Sequence, residues 1–258
     1  MKTVMGTCAL CHQRCRLIQS HIFPESFYKN VYSEETHKFV TLSTNPTQPI
    51  GLEQLGIREH LLCGQCDGKV IGKYDDYIAR WLYEEPVTLP DRYRYSLMFK
   101  GVNYALMRLF QLSLLWRFHI AKGHGFRSVD LGTHSETIRN MLLTGDAGTA
   151  NYFPCILMHP KDISPTLTGG ITCPVSIGTD QWPVCRAIAV GIVWMWIMRA
   201  DASSNPMSEF AVSTECQMHI VLGTDKISDG IKNEFIVLDR AKDMQPNADK
   251  LSKWGFGQ

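Results

Sequence analysis

Leu61-Leu62-Cys63-Gly64-Gln65-Cys66-Asp67-Gly68-Lys69 carries the second of two C-x-x-C pairs in the chain. It decides the fold because the first pair, Cys8-Ala9-Leu10-Cys11, lies far upstream, with residues 12–62 between them. A two-residue turn between cysteines aims both sulfurs at one point, so two such knuckles supply four thiolates to a single tetrahedral Zn²⁺. The predicted ligands are Cys8, Cys11, Cys63 and Cys66; His12 and Cys15 are substitutes for a first-knuckle ligand, but paired symmetry favours the four cysteines. A closed four-thiolate shell leaves no open position, so the expected zinc is structural.

The whole chain has 9 cysteines, an odd count without an export signal, which favours thiolate–metal chemistry over a disulfide scaffold. Cys155, Cys173, Cys185 and Cys216 have no short spacing and read as small buried apolar residues.

Working outward from the second knuckle, Tyr74, Tyr77, Ile78, Trp81 and Leu82 recur at helical spacing and predict an amphipathic helix over about Gly68–Tyr83. The stretch Glu34–Gly56 is polar with turn signals at Asn45-Pro46 and Gln48-Pro49. Residues from about Tyr95 to Ala121 predict a long, mostly buried helix that stops before Lys122-Gly123. Thr133-x-x-Glu136 reads as a capping box opening a helix through Leu143, with Gly145 as its stop. Tyr152–Met158, Cys185–Met198, Phe210–Val212, Met218–Leu222 and Phe235–Leu238 read as strands. The expectation is an α+β chain of two parts: a small zinc-stabilised module over residues 1–86, and a larger domain over residues 87–258 that is helical (about 95–121) and then β-rich.

Composition limits the function. With 258 residues and a net charge of +1, the chain is no bulk polybasic binder, and it contains no low-complexity tract. The charge is uneven, however: residues 87–130 hold seven basic and two acidic residues, whereas the flanking parts are slightly acidic. Arg92, Arg94, Lys100, Arg108, Arg117, Lys122 and Arg127, interleaved with aromatics, are either a face that tracks a phosphate backbone or a solvated helix face. The longest run without a polar or charged side chain, Ala187–Met198, is too short for the roughly 20 residues of a membrane span, and its β-branched and Trp content suits a buried strand. No membrane role and a cytoplasmic location are expected. Nucleotide-binding glycine motifs, Gly-x-Ser-x-Gly and His-Glu-x-x-His are absent. His119, His124 and His134 lack carboxylates at ligand spacing.

Ser20-His21-Ile22-Phe23-Pro24 follows the first knuckle. Taken with the second knuckle, it resembles the HNH endonucleases, the ββα-metal or His-Me-finger group. There a C-x-x-C precedes an acidic-His-x-x-Pro element, and a Leu-Cys-x-x-Cys-His-x-x-Lys element closes the site. The resemblance covers roughly residues 1–80. A looser one extends across the chain to bacterial proteins carrying Ser-His-Ile-x-Pro and Leu-Leu-Cys-x-x-Cys-Glu, followed by a Ser-x-x-Trp-Arg helix, which Ser113-Leu114-Leu115-Trp116-Arg117 matches; it implies a prokaryotic defence or phage setting.

The nuclease resemblance implies a ββα-type module in which His21 is the general base that activates water for attack on a phosphodiester. It also implies that Asp67 is a ligand to a catalytic Mg²⁺ or Mn²⁺. Lys69, Lys73, Arg108 and Arg117 are the candidate nucleic-acid contacts. The departures are Ser20, where the family has an acidic metal ligand, and Asp67, where it has a histidine; Asp75, Asp76 and His60 are nearest in sequence to make up the deficit. Read from the residues alone, His21 is equally an orienting histidine beside the metal turn, and Asp67 a helix cap. Two functions follow as expectations: a metal-dependent endonuclease acting on DNA, or a catalytically silent zinc module that binds nucleic acid or a protein partner. Self-association is left open by the sequence.

Overall fold

The first C-x-x-C sits at the tip of a hairpin. β1 (Val4–Thr7) and β2 (Arg14–His21) run antiparallel, with Thr7 opposite Arg14. Cys8 N–H donates to Gln13 O, and His12 takes a left-handed φ of 60° to complete the turn. The computed structural model describes residues 3–29, 31–32, 39–41, 51–53, 55–84, 90–160 and 170–223. Most of the polar stretch Glu34–Gly56 lies outside them. After β2 come a single-turn helix α1 (Glu25–Tyr28) and a small ribbon of β3 (Phe39–Thr41) with β4 (Gly51–Glu53).

β5 (Arg58–Cys63) then pairs antiparallel with β2, giving a three-stranded sheet in the order β1-β2-β5. Leu17 faces Cys63 and His21 faces Arg58, with a register shift between Ile18 and Gln19. This register joins the two knuckles. The hairpin tip carries Cys8 and Cys11, while the end of β5 carries Cys63 on the neighbouring strand. The chain next winds through a π-helical stretch, Cys66–Ile71, into α2 (Gly72–Tyr83). Tyr74, Tyr77 and Ile78 are buried as the helical spacing requires, and Trp81 and Leu82 pack partly buried against the same core.

The predicted helix over 95–121 is divided. Its first residues form β7 (Ser96–Lys100), which pairs with β6 (Asp91–Tyr93). Gly101, at φ 75°, turns the chain, and α3 (Tyr104–Ile120) begins after Asn103. The Asn103 side chain accepts a hydrogen bond from Leu106 N at 3.0 Å, a cap worth about 1 kcal/mol. The pairing of 96–100 with β6 and this cap outweigh the continuous apolar run. α3 is buried from Met107 through Phe118, as expected of a helix apolar on every side. It lies between α2 and α4 (His134–Thr144) and the large sheet.

α4 ends at Gly145, whose φ of 75° is the left-handed stop expected from sequence. The predicted capping box does not form. Thr133 is itself in the right-handed helical region and makes no side-chain cap, while Glu136 turns to Arg139 at 2.7 Å.

The large sheet has seven strands in the order β6-β7-β12-β8-β11-β10-β9. Its later members are β8 (Cys155–His159), β9 (Val175–Gly178), β10 (Pro183–Ala189), β11 (Ile192–Ile197) and β12 (Gln217–Leu222). Every pairing is antiparallel except β12 with β8. The run read as one strand, Cys185–Met198, is a hairpin. Val190 and Gly191 both take positive φ, 52° and 77°, and reverse the chain between Ala189 and Ile192.

Phe210–Val212 is not a strand: Phe210 ends a 3-10 turn, Pro206–Phe210, which covers the outer face of the sheet with Ala202 and Ala211. Phe235–Leu238 lies outside the described residues. On the inner face Trp194 and Trp196, both fully buried, sit on one side of β11 with ring centres 6.3 Å apart. They pack on Phe110 and Phe118 of α3.

The described structure is therefore α+β. Residue 86, the expected boundary, falls outside the described residues, and the main apolar core runs without interruption from Cys8 and Leu10 through α3 to Ile220. Phe23 and Phe27 are the bridge, meeting Phe118 at 5.0 Å and Phe110 at 5.9 Å. No helix among the described residues is long and apolar enough to cross a membrane.

Candidate metal centre

Two short turns bring four sulfurs together. The Sγ atoms of Cys8, Cys11, Cys63 and Cys66 all lie within 4.8 Å of one another, a bound that accommodates the edges of about 3.8 Å in a tetrahedron of sulfurs about 2.3 Å from one ion. Cys8 and Cys66 are buried and Cys11 and Cys63 partly so. Cys63 N–H points at Cys8 Sγ at 3.3 Å and Cys66 N–H at Cys63 Sγ at 3.4 Å. Such amide donors stabilise thiolate charge.

Burial pushes the Cys8 and Cys66 thiols up. It pushes the Cys63 thiol up as well, but hydrogen bonds from Cys66 N–H and the neighbouring thiols outweigh burial and bring it down to about 7. The chemistry of the set, four soft sulfur donors with none left over, suits one metal ion held with no position for substrate. The two substitutes are accounted for. His12 turns away toward Glu136, 3.7 Å from its carboxylate. Cys15 on β2 lies near Cys63 without joining the four and donates to Gln13 O.

His21 ends β2 opposite Arg58 of β5. Arg58 Nε donates to His21 Nε2 at 2.8 Å. A guanidinium has no lone pair and stays protonated, so this bond uses the Nε2 lone pair and leaves the ring proton on Nδ1. Burial and the charge of Arg58 hold the imidazole below its ordinary range, while Glu25 and Asp67 act in the opposite sense. His21 as it stands is a neutral ring with a donor at one nitrogen and an occupied acceptor at the other. The Nδ1–H of His21 and both Nη groups of Arg58 make no hydrogen bond among the described residues.

No residue expected to support a catalytic cation joins His21 in a three-ligand group among the described residues. Ser20 is buried and its hydroxyl makes no hydrogen bond among the described residues. Asp67 is partly exposed in the first turn after the knuckle, where the helix dipole favours its charge. Asp75 is taken by Arg117, and Asp76 and His60 are exposed. Among the described residues the only group of metal-ligating side chains gathered in this way is the four cysteines.

Of the candidate nucleic-acid contacts, Lys69 and Lys73 are exposed on the helix that follows the second knuckle. Arg108 and Arg117 are not surface residues. Each is 1% exposed, because α3 is enclosed on all sides. Arg108 is spent on the carbonyl oxygens of Tyr152 and Phe153. Arg117 bonds Asp75 and His21 O. The basic excess over residues 87–130 is therefore smaller at the surface than in the sequence.

His119 and His134 are occupied separately, by the Val129–Leu131 loop and by Tyr152 Oη. Arg58 is the residue missed by sequence reasoning. Nothing in local spacing marks it, since only the β2–β5 register brings it to His21. No protein-family model, curated protein or solved structure matches the chain.

Proposed function

We propose that the chain is a zinc-organised nucleic-acid-binding module that resembles the HNH group and holds its histidine out of hydrolytic chemistry. The observation that carries this reading is the 2.8 Å bond from Arg58 Nε to His21 Nε2. A general base needs a free lone pair within reach of water, and His21 has none in this arrangement. The four cysteines favour zinc because tetrahedral thiolate shells of paired knuckles suit that ion, and a closed shell serves structure.

Binding rather than cleavage is supported by the surroundings of the centre. Arg14 and Arg16 alternate along the exposed side of β2, and Lys69 and Lys73 extend from the other knuckle. Together they place positive charge beside both knuckles, a local feature compatible with a net charge of only +1.

Two assays on the purified metal-loaded protein test this. Fluorescence anisotropy with a short DNA duplex is expected to show binding that weakens as salt rises. Incubation with supercoiled plasmid and Mg²⁺ or Mn²⁺ is expected to leave the plasmid intact. Cutting that disappears in His21→Ala would establish the endonuclease reading instead.

A further inference from the structure

We infer that His21 and Arg58 together form a recognition site for a phosphodiester oxyanion, with His21 Nδ1–H and the Arg58 Nη groups as donors. The inference rests on the nucleic-acid reading above and names the side chains that would read the backbone. Arg58 has five N–H donors, and the bond to His21 uses only the one on Nε. That bond also fixes the ring tautomer, so the pair offers Nδ1–H and the guanidinium fork while offering no acceptor. Donors without an acceptor, one of them a permanent cation, suit an oxygen anion and exclude a metal cation.

The pair is also held in place. His21 and Arg58 are cross-strand partners, and the His21 carbonyl accepts from Arg117 Nη1 at 3.3 Å. Beside it, Ile22 N–H donates to Ile57 O at 3.0 Å and Ile57 N–H to Tyr28 Oη at 2.9 Å. Both side chains are half-buried, which strengthens a charged hydrogen bond relative to one in open water. Arg117, the other nearby cation, is committed to Asp75. Glu25 and Asp67 oppose an anion at His21, each more weakly than Arg58 acts on it. Their presence gives the proposal a distinguishing sign: removing the Asp67 charge tightens oxyanion binding, whereas it would abolish activity if Asp67 held a catalytic cation.

The experiment is anisotropy titration of a DNA duplex against metal-loaded wild type, Arg58→Gln, Arg58→Lys, His21→Phe and Asp67→Asn, with zinc content and thermal unfolding checked for each. The expected result is a loss of about ten-fold or more in affinity for Arg58→Gln, with the salt slope reduced by about 1. His21→Phe weakens binding, Arg58→Lys is intermediate, and Asp67→Asn binds more tightly than wild type. In parallel, inorganic phosphate is titrated against ¹⁵N-histidine-labelled protein. Resonances of the Nδ1–H tautomer of His21 that shift with phosphate in wild type and not in Arg58→Gln support the site, even where DNA fails to bind and the nucleic-acid reading falls. Wild-type affinity and salt slope retained in folded Arg58→Gln overturn the site while leaving nucleic-acid binding intact. A ring protonated at Nε2 overturns it as well.

Discussion

Arg117 of α3 grips Asp75 of α2 at two points, Nη1 to Oδ2 at 2.9 Å and Nη2 to Oδ1 at 2.8 Å, and with the same guanidinium reaches the carbonyl of His21 at 3.3 Å. The Arg117 side chain is 1% exposed and that of Asp75 22%. One residue of the long helix thus ties down both the end of β2 and the helix that follows the second knuckle. Removing one partner of such a pair leaves the other charge half-buried and alone. Arg117→Met is expected to lose about 3 kcal/mol of unfolding free energy in urea. Arg117→Lys, which keeps the charge without the two-point geometry, is expected to lose less.

Removing a knuckle ligand has a different signature. A structural metal contributes its binding free energy to folding. Cys63→Ser is therefore expected to lose the metal and, with it, protection of the β1-β2-β5 sheet in hydrogen exchange. Cys15→Ser, which changes a thiol close by but outside the four, is expected to keep both. Equal metal content in the two variants would contradict the assignment of ligands.

The knuckles were legible because their chemistry is local: two residues between cysteines suffice to aim the sulfurs, and the four predicted ligands are the four that meet. The stripe on α2 and the stop at Gly145 were legible for the same reason. Arg108 and Arg117 were not, because a basic residue inside an apolar run reads equally as a solvated face, and only the enclosure of α3 by helices and sheet shows that both point inward. The turn at Val190-Gly191 was hidden by a β-branched residue that rarely takes positive φ. Arg58 was invisible to spacing, since its link to His21 spans residues 22–57 and depends on strand register.

Acid is expected to weaken the fold through His21. Burial and then Arg58 hold its imidazole below the ordinary value, so the unfolded chain binds the proton more readily. The stability this contributes is complete above about pH 6.5 and is lost as pH falls through the lowered folded value. Unfolding followed at about pH 7 and about pH 5 should show a smaller acid loss in Arg58→Gln than in wild type, because removing the guanidinium lets the ring titrate closer to normal. His159 and His219 are lowered mainly by burial and shift in the same direction. They are common to both proteins, so the difference isolates the pair.

The stop of α4 gives a test independent of the metal. Gly145 sits at φ 75° and ψ 18°, with its N–H bonded to Met141 O. A β-carbon there meets nothing nearby, so Gly145→Ala is expected to cost only the backbone penalty, about 1 kcal/mol in denaturant unfolding. Gly145→Asn, better tolerated in this conformation, is expected to cost less.

The central claim is that one zinc ion joins the hairpin tip to the strand–helix junction through four sulfurs. X-ray absorption at the zinc edge, on protein purified without chelator and quantified for metal, tests it most directly. The account predicts one zinc per chain with a shell of four sulfurs at about 2.3 Å. Protein that is folded with no stoichiometric metal, or a shell containing nitrogen or oxygen, would contradict it.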